Sequence, residues 1–310
     1  MQTAREERPR TAETENATSP NTLSSAETGR PERAGPPLAV VGLGKVGSVL
    51  RTVLGHFYPV SGFDIQTDSH WEPVLQAAAV FVCVQTPGGG DGRLDCSHVT
   101  DVLERLSQDG YHGVVAVRST VSVGYMDEVC RRFPGLRLVY FPEFLRERSR
   151  LSWATNPDRL VIAGPTDAVD LILGLFDWVE DAPRMRLKTY RAAEIGKLAH
   201  NAYIATKVSF TNEIERISKE QGADPEEVMS VVSADRRVAS REHLRPGLGP
   251  YEGSCVPKDT RELLSVAASP VLLAAVEEVN RQASARFRAS RQSTTSPSPQ
   301  LRSRSEERGP

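Results

Sequence analysis

The feature that most constrains the fold is a series of short apolar runs separated by segments of helical spacing. Each run has the length of a strand and ends near polar or turn residues; the runs read PLAVVGLG, YPVSGFDI, AAAVFVCVQTP, GVVAVRST, LRLVYFPEF and DRLVIAG. Buried strands that alternate with helices favour a parallel sheet covered on both faces. The sequence therefore predicts an α/β domain with a doubly wound parallel sheet of the Rossmann type.

The chain changes character near Tyr190. From there, apolar residues recur at three- and four-residue spacing, and Gly222 is a typical helix stop. Helical spacing continues to about Phe287. We therefore predict two folded domains, an α/β domain over 38–187 and a helical domain over 188–288.

The two ends of the chain differ from this folded middle. Residues 1–37 and 289–310 are rich in Arg, Ser, Pro and Thr and contain few large aliphatic side chains. Such segments bury too little apolar surface to offset the entropy lost on ordering. We predict that both are disordered tails, and we read the arginines of the second tail as solvated rather than as a binding site.

The overall composition excludes several classes of protein. With 39% hydrophobic and 25% charged residues and a net charge of −2, the chain has no general attraction to nucleic acid or membranes. No apolar run has the length of a membrane span, and no signal core stands at the N-terminus. The four cysteines lack paired spacing, which argues against a disulfide framework or a metal site. A reducing cytoplasm is the simplest predicted location.

A glycine motif marks the first strand-to-helix turn. Gly42, Gly44 and Gly47 form G-x-G-x-x-G, and Asp64 follows at the end of the next predicted strand. The glycines allow a tight turn, a close approach to a pyrophosphate and close helix packing. The carboxylate suits a ribose diol and would repel a 2′-phosphate, so the pattern favours NAD over NADP. The alternative is a plain glycine turn with a solvated Asp64.

Six further blocks occur in a fixed order along the middle of the chain. They read VQTPGGGDGRLDCSHV, VRSTVSVGY, FPEFLRERS, NPDRLVIAG, AEIGKLAHNAYIATKVSFTNEI and GSCVPKDT. Together they resemble the UDP-glucose/GDP-mannose dehydrogenase family from about Leu38 to Gln282. The resemblance implies an NAD-dependent, four-electron oxidation of a primary alcohol on a nucleotide sugar, through an aldehyde and a cysteine thioester, to the carboxylate.

The resemblance places the nucleophile at Cys255, within GSCVPKD. A thiolate suits the chemistry because it adds to aldehydes and forms a thioester that hydrolyses readily. Lys258 is near in sequence and would favour the thiolate electrostatically. The other interpretation of a cysteine, a buried structural residue, suits Cys83 and Cys130 better because both lie in apolar or helical stretches.

Further roles come from the resemblance alone. Lys197 would stabilise the developing oxyanion and Asn201 would orient the reacting oxygen; four residues apart, they share one helix face. Glu143 would handle a proton through water, Asp259 would assist water activation, and Thr120 would hold that water or the nicotinamide ribose. Without the flanking blocks, a Lys and an Asn at this spacing would be read as a solvated stripe.

The complete set of predicted site residues combines motif and resemblance. The cofactor-binding residues are Gly42, Gly44, Val46, Gly47, Asp64, Thr86, Thr120 and Lys258. The substrate-binding residues are Glu147, Lys197, Asn201, Arg245 and Gly253. Arg245 matches an arginine that reaches a substrate phosphate, in one reading from a partner chain. For Glu147 and Thr86, a surface carboxylate and a strand-end cap are equally good interpretations.

Departures from the family pattern bear on the substrate rather than on the reaction. The likeness stops at AAVEEVNRQ, where the family continues into a nucleotide-holding α/β domain. We therefore expect the sugar nucleotide to be bound weakly, to be presented by a partner chain, or to be replaced. The loop RPGLGPYEGSC carries Pro250, Tyr251 and Glu252 where a glycine pair is usual, the stretch after Thr260 is short, and Arg118 and Arg148 are smaller changes.

Three functional hypotheses follow. The first is an NAD-dependent nucleotide-sugar dehydrogenase similar to UDP-glucose 6-dehydrogenases, with a variant that oxidises a smaller sugar or nucleoside. The second is an NAD-binding partner subunit without turnover, and the third is a remnant without function. The resemblance also implies a homodimer formed through the second domain. The sequence does not identify the sugar, the nucleotide or the pathway.

Overall fold

The computed structural model describes residues 35–145, 149–236, 238 and 242–293. Glu147, Arg148 and most of the two predicted tails lie outside the described residues. The strands are β1 (Leu38–Val41), β2 (Val60–Phe63), β3 (Ala79–Val82), β4 (Val114–Val117), β5 (Arg137–Tyr140), β6 (Leu160–Ala163) and β7 (Arg184–Leu187). The helices are α1 (Gly47–Leu54), α2 (Glu72–Leu75), α3 (Ser97–Gln108), α4 (Tyr125–Arg132), α5 (Arg150–Thr155), α6 (Thr166–Gly174), α7 (Tyr190–Glu220), α8 (Pro225–Ala234), α9 (Val256–Ser265) and α10 (Val271–Ser293).

The described strands form one sheet in the order β2-β1-β3-β4-β5-β6-β7. All neighbours run parallel except β5 and β6, which pair antiparallel through Tyr140 and Ala163. The predicted doubly wound α/β class is confirmed, with a correction: the sheet is mixed at one pairing, and β7 was not predicted. The sequence of β7, RMRL, is mostly exposed, and an edge strand of this kind carries no apolar run.

Two hydrophobic cores cover the two faces of the sheet. In β1, Ala39 and Val41 pack on the side of α3 and α4, whereas Leu38 and Val40 pack on the side of α1 and α6. Because side chains alternate along a strand, a strand buried on both faces must be apolar throughout. This is why β1, β3 and β4 read as unbroken apolar runs in the sequence.

The helical part of the chain begins with α7. The Thr189 side chain accepts a hydrogen bond from the backbone N–H of Ala192 at 3.2 Å and caps the helix. Gly222, at φ +72°, follows its end, as predicted from the sequence. The last helix, α10, continues to Ser293, beyond the position 288 at which we end the second domain. Within the described ranges, no helix is long and apolar enough to cross a bilayer.

A buried carboxylate joins α7 to the sheet domain. Glu194 has 0% exposure. Its two oxygens accept the backbone N–H groups of Gly124 and Met126, at 2.7 and 2.8 Å, at the start of α4. Burial raises the pKa of the Glu194 carboxyl above its usual value. Glu194 therefore accepts hydrogen bonds from N–H groups at the N-terminus of α4, where α4 has no side-chain cap of its own.

We predict that Glu194→Ala lowers the free energy of unfolding by about 2–5 kcal/mol, because two buried N–H groups lose their acceptors. Glu194→Gln keeps one acceptor and should lose less. Since the pKa of Glu194 is raised in the fold, its contribution is greatest at low pH and declines as pH rises through the folded pKa. The advantage of wild type over Glu194→Gln should therefore be larger at pH 4.5 than at pH 7, measured by urea unfolding. Glu213→Ala, an exposed glutamate on the same helix, is the control; a Glu194→Ala protein as stable as this control would contradict the prediction.

Candidate active site

The glycine motif forms a tight turn with one open side. Gly42 has φ +89°, and its N–H donates to the carbonyl of Phe63 at 2.8 Å. A Cβ on Gly47 would lie 1.8 Å from the Gly42 carbonyl oxygen, so only glycine permits this packing. A Cβ on Gly44, by contrast, would meet nothing within 4 Å. The space over Gly44 is therefore open for a ligand that approaches the backbone.

Asp64 lies beside this turn at the end of β2. Its carboxylate accepts the N–H of Leu43 at 2.6 Å and the N–H of Gln66 at 2.9 Å. Val46 precedes α1, whose N-terminus has no side-chain cap. An open glycine cradle, an uncapped helix N-terminus and a nearby carboxylate fit a dinucleotide whose pyrophosphate meets the helix and whose ribose meets the carboxylate.

The ends of β3 and β4 are tied together by two threonines. The Thr86 hydroxyl donates to the backbone carbonyl of Thr120 at 2.7 Å. Thr86 is buried, and Thr120 is partly exposed. This contact agrees with the strand-end cap that the sequence offered as one interpretation of Thr86. A contact of either threonine with the cofactor stays a prediction.

Cys255 immediately precedes α9, and its side chain is exposed. One turn further on, Asp259 has 0% exposure. It accepts hydrogen bonds from Asn201 Nδ2 at 2.5 Å and from Lys258 Nζ at 2.6 Å. A buried carboxylate needs such partners, so this trio fixes α9, and with it the start of the helix at Cys255, against α7.

Lys197 lies one turn before Asn201 on α7 and is only 5% exposed. Its ammonium donates to the backbone carbonyl of Glu143 at 2.6 Å and lies 4.8 Å from the centre of the Phe144 ring. Among the described residues, no carboxylate forms an ion pair with it. A buried cation held by neutral groups keeps its charge available for an anion that forms nearby.

A cavity lies beside the glycine turn. It is lined by Val46 from the turn, by Glu143 and by Arg118, among other residues. The Arg118 guanidinium lies 4.5 Å from the centre of the Phe141 ring, and burial lowers its pKa. The cavity therefore extends from Val46, the residue before the third glycine of the turn, to Glu143, whose backbone carbonyl accepts the Lys197 hydrogen bond.

The other three thiols lie in different environments from Cys255. Burial raises the pKa of the Cys83 thiol to about 12. Burial likewise raises the pKa of Cys96 and of Cys130. These three are held as neutral thiols at neutral pH, whereas Cys255 is the exposed one.

Two predicted substrate residues are not joined to these groups. Arg245 is exposed, and no hydrogen bond or ion pair links it to the other described site residues. Gly253 is exposed at φ +90°, and Glu147 lies outside the described residues. In the described part of the chain, no group of three His, Cys, Asp or Glu side chains is arranged to hold a metal ion.

Sequence reasoning missed three groups around the site, two of them fully buried. Glu262 has 0% exposure and accepts the N–H of Leu94 at 2.6 Å, which ties α9 to the loop after β3. His200 Nδ1 lies 3.1 Å from Asn201 Oδ1, and burial lowers the His200 pKa. Glu194 is the third. The signal for Glu194 was its place beside Ala193 and four residues before Leu198, on the apolar stripe of α7.

The fold and the site define an NAD-binding α/β domain of the dehydrogenase type, followed by a helical domain. Two family models match: the NAD binding domain of the UDP-glucose/GDP-mannose dehydrogenase family at residues 60–173, and its central domain at residues 191–282. The chain belongs to this family, and the resemblance stated from the sequence is confirmed. The predicted cofactor, NAD, is confirmed by the same match.

Individual relatives agree with this assignment. The chain is 36% identical over 214 residues to a UDP-glucose 6-dehydrogenase of Pseudomonas aeruginosa, covering 65% of this chain and 47% of the relative. It is 34% identical over 207 residues to the GDP-mannose 6-dehydrogenase of the same organism, covering 61% and 47%. A UDP-glucose dehydrogenase structure from Pyrobaculum islandicum superimposes with a TM-score of 0.72 at 27% identity, covering 83% of this chain and 70% of that one. The chain thus spans about half the length of such curated relatives.

We predict that Gly44→Val weakens NAD binding without unfolding the protein. The new side chain meets no protein atom near its Cβ, but it fills the space that a pyrophosphate needs. Isothermal titration with NAD should show at least ~10-fold weaker binding than wild type, with an unchanged melting temperature. Gly174→Val is the matched control, because that glycine also has open space around it but lies on α6. Equal NAD affinity in the two variants would overturn this placement of the cofactor.

Proposed function

We propose that the protein oxidises a primary alcohol on a nucleotide sugar to a carboxylate with NAD; two of its relatives are named UDP-glucose 6-dehydrogenase and GDP-mannose 6-dehydrogenase. The observation that carries the proposal is the placement of Cys255. Its exposed thiol lies at the start of α9, one turn before the buried carboxylate of Asp259. That carboxylate accepts hydrogen bonds from Asn201 and Lys258. A thiol with no reactive role would more commonly be buried, as Cys96 is, or half-buried, as Cys83 and Cys130 are.

NAD supplies the hydride acceptor for two successive oxidations. The Lys197 ammonium stabilises the oxygen that becomes negative as the alcohol and the hemithioacetal lose their protons. Cys255 Sγ forms a bond to the aldehyde carbon, and the second oxidation leaves a thioester that water cleaves, which restores the thiol. One alcohol, one water and two NAD⁺ thus give one carboxylate, two NADH and three protons.

The remaining groups hold or move protons and orient their neighbours. Glu143 borders the cavity next to Lys197 and is the group we assign to proton transfer through water. Both oxygens of Asp259 are engaged by Asn201 and Lys258. Asp259 therefore acts on hydrolysis through the ammonium that it orients, rather than by direct contact with water. Thr120, Val46 and the glycines contact the cofactor in this scheme.

A second candidate is the same oxidation on a smaller or less anionic substrate. Glu252, three residues before Cys255, is exposed in the loop that leads to the thiol. A carboxylate at this position disfavours a diphosphate near the reacting carbon.

We also propose that two copies associate through α7. Four large apolar side chains on this helix are exposed by 42–62%, and they are spaced by seven or eight residues, which places them on one face: Ile195, Tyr203, Phe210 and Ile217. A long apolar stripe of this kind is more stable when another surface covers it.

A cytoplasmic location fits the four free thiols.

We predict that the purified protein forms two NADH per molecule of its substrate in a panel of UDP-, GDP- and TDP-sugars, free sugars and nucleosides. Absorbance at the NADH band and chromatographic loss of substrate give the ratio. Cys255→Ala should lose acid formation by at least ~10³-fold while it still reduces the aldehyde with NADH. Cys130→Ala, which removes a half-buried thiol elsewhere, is the control.

Each outcome of the panel decides between the candidates. Activity on a diphosphate sugar supports the first candidate, and activity confined to free sugars or nucleosides supports the second. A ratio of one NADH per substrate would contradict the thioester mechanism. NAD binding without NADH formation from any compound, alone or with a partner chain, would contradict both candidates and favour a binding subunit.

For the dimer, we predict a mass of twice the chain by light scattering, and a monomer for Phe210→Asp, because a charge in the middle of the stripe would have to be buried. Lys219→Ala, on another face of α7, should stay dimeric. A monomeric wild-type protein at micromolar concentration would rule out this interface.

A further inference from the structure

We infer that α10 positions the loop that carries Cys255, through a set of contacts made by Tyr251, Glu277 and Asn280 that we call the α10 latch. The inference rests on the proposed function only in the role given to Cys255. It concerns residues that neither the glycine motif nor the family blocks single out. The latch acts on the part of the loop in which this sequence departs from the family pattern, Pro250 to Glu252.

The first part of the latch is a reciprocal pair of hydrogen bonds. Asn280 Oδ1 accepts the backbone N–H of Tyr251 at 2.9 Å, and Asn280 Nδ2 donates to the backbone carbonyl of the same residue at 3.2 Å. A side-chain amide that satisfies both polar groups of one loop residue mimics a strand partner. It therefore fixes the position and the orientation of that peptide unit.

The second part is the Tyr251 side chain. It is 6% exposed and packs with Ala205, Val208 and Val276. Its hydroxyl donates to the Glu277 carboxylate, whose other oxygen accepts from Arg261 Nε on α9 at 3.2 Å. The single carboxylate of Glu277 therefore connects the loop before Cys255 with the helix after it.

The loop is held from the opposite side as well. Asn212 on α7 donates to the carbonyl of Gly249 at 3.0 Å, and Glu215 accepts the N–H of Gly247 at 2.6 Å. On α10, the Phe287 ring lies 3.4 Å from the place of a Cβ on Gly249. The segment up to Tyr251 is thus clamped between two helices.

The residues between the latch and α9 are exposed. Glu252, Gly253, Ser254 and Cys255 all face solvent, and Gly253 has φ +90°. The hydrogen-bonding contact that Cys255 Sγ makes is with its neighbour Ser254, at 3.6 Å. The position of the thiol is therefore set by its two flanks, α9 on one side and Tyr251 on the other. Tyr251 and Asn280 are positioning residues for the nucleophile.

The test uses Asn280→Ala in the full chain. Gln282→Ala is the matched control: Gln282 is an exposed amide on α10 that hydrogen-bonds within its own helix, to Glu278. We expect amide hydrogen exchange at residues 250–255 to accelerate ~10-fold in Asn280→Ala, while α7 keeps its protection. A nitroxide attached to Cys255 should become ~2-fold more mobile, since the other three thiols are buried or half-buried. Tyr251→Phe, which keeps the ring and loses the hydroxyl, should show the same effects more weakly and replaces Asn280→Ala if that variant does not fold.

Two results would overturn the inference. One is exchange and nitroxide mobility in Asn280→Ala equal to those of Gln282→Ala. The other is a mobile loop with an unchanged kcat for NADH formation, because a nucleophile that needs positioning should lose at least ~5-fold in kcat while NAD affinity stays constant. If the wild-type protein forms no NADH, the proposed function fails, and the exchange and mobility data still decide whether the latch exists.

Discussion

The arrangement of the site depends on one buried carboxylate. Removing the charge of Asp259 from water costs several kcal/mol unless hydrogen bonds replace the lost hydration. Asn201 from α7 and Lys258 from α9 supply those bonds. Because each partner sits on a different helix, satisfying the carboxylate fixes the two helices in register. Cys255 lies one turn before Asp259 and Lys197 one turn before Asn201, so the same register sets the thiol and the buried ammonium.

Buried carboxylates that accept hydrogen bonds from another element also join the helical part of the chain to the sheet domain. Glu194 on α7 accepts two N–H groups at the start of α4, and Glu262 on α9 accepts the N–H of Leu94 in the loop after β3. All three carboxylates have 0% exposure. A buried hydrogen-bonded charge tolerates little displacement, since a lost partner leaves the charge uncompensated. These joints therefore hold the cysteine helix against the cofactor domain more specifically than apolar packing alone.

The sequence predicts the parts of this structure that repeat simple periodicities. The apolar runs predicted β1 to β6, the glycine spacing predicted the turn at Gly42, and Gly222 predicted the end of α7. These predictions were possible because each pattern has a local physical cause. It did not predict β7, because an exposed edge strand containing Arg184 and Arg186 carries no apolar run. Nor did it predict the antiparallel direction of β6, which follows from the path of the connection from β5 rather than from any local pattern.

The candidate site was likewise predictable only in part: the identities of its residues, but not their contacts. The identities of Cys255, Lys197, Asn201 and Asp259 came from the family blocks, but their contacts could not, because the partners are far apart in the chain. Asn201 and Asp259 are 58 positions apart, and Leu94 and Glu262 are 168 apart. A residue such as Asn280 gives no signal at all in one sequence, since an amide on a helix is usually solvated. Its role becomes visible only when the fold brings it to the backbone of Tyr251.

Chemistry and recognition occupy different kinds of structure in this chain. The groups to which we assign the reaction lie on or next to α7 and α9, whose backbones are fixed by helical hydrogen bonds and by the buried carboxylates. The departure from the family pattern at Pro250 to Glu252 falls in the loop before α9, where Glu252 is exposed. A loop can accept an added residue at small cost in loop-closure entropy, whereas a helix would lose its register. We therefore expect the loop before Cys255 to tolerate substitutions that alter the substrate, while the Asp259 hydrogen bonds keep the proposed reactive groups in position.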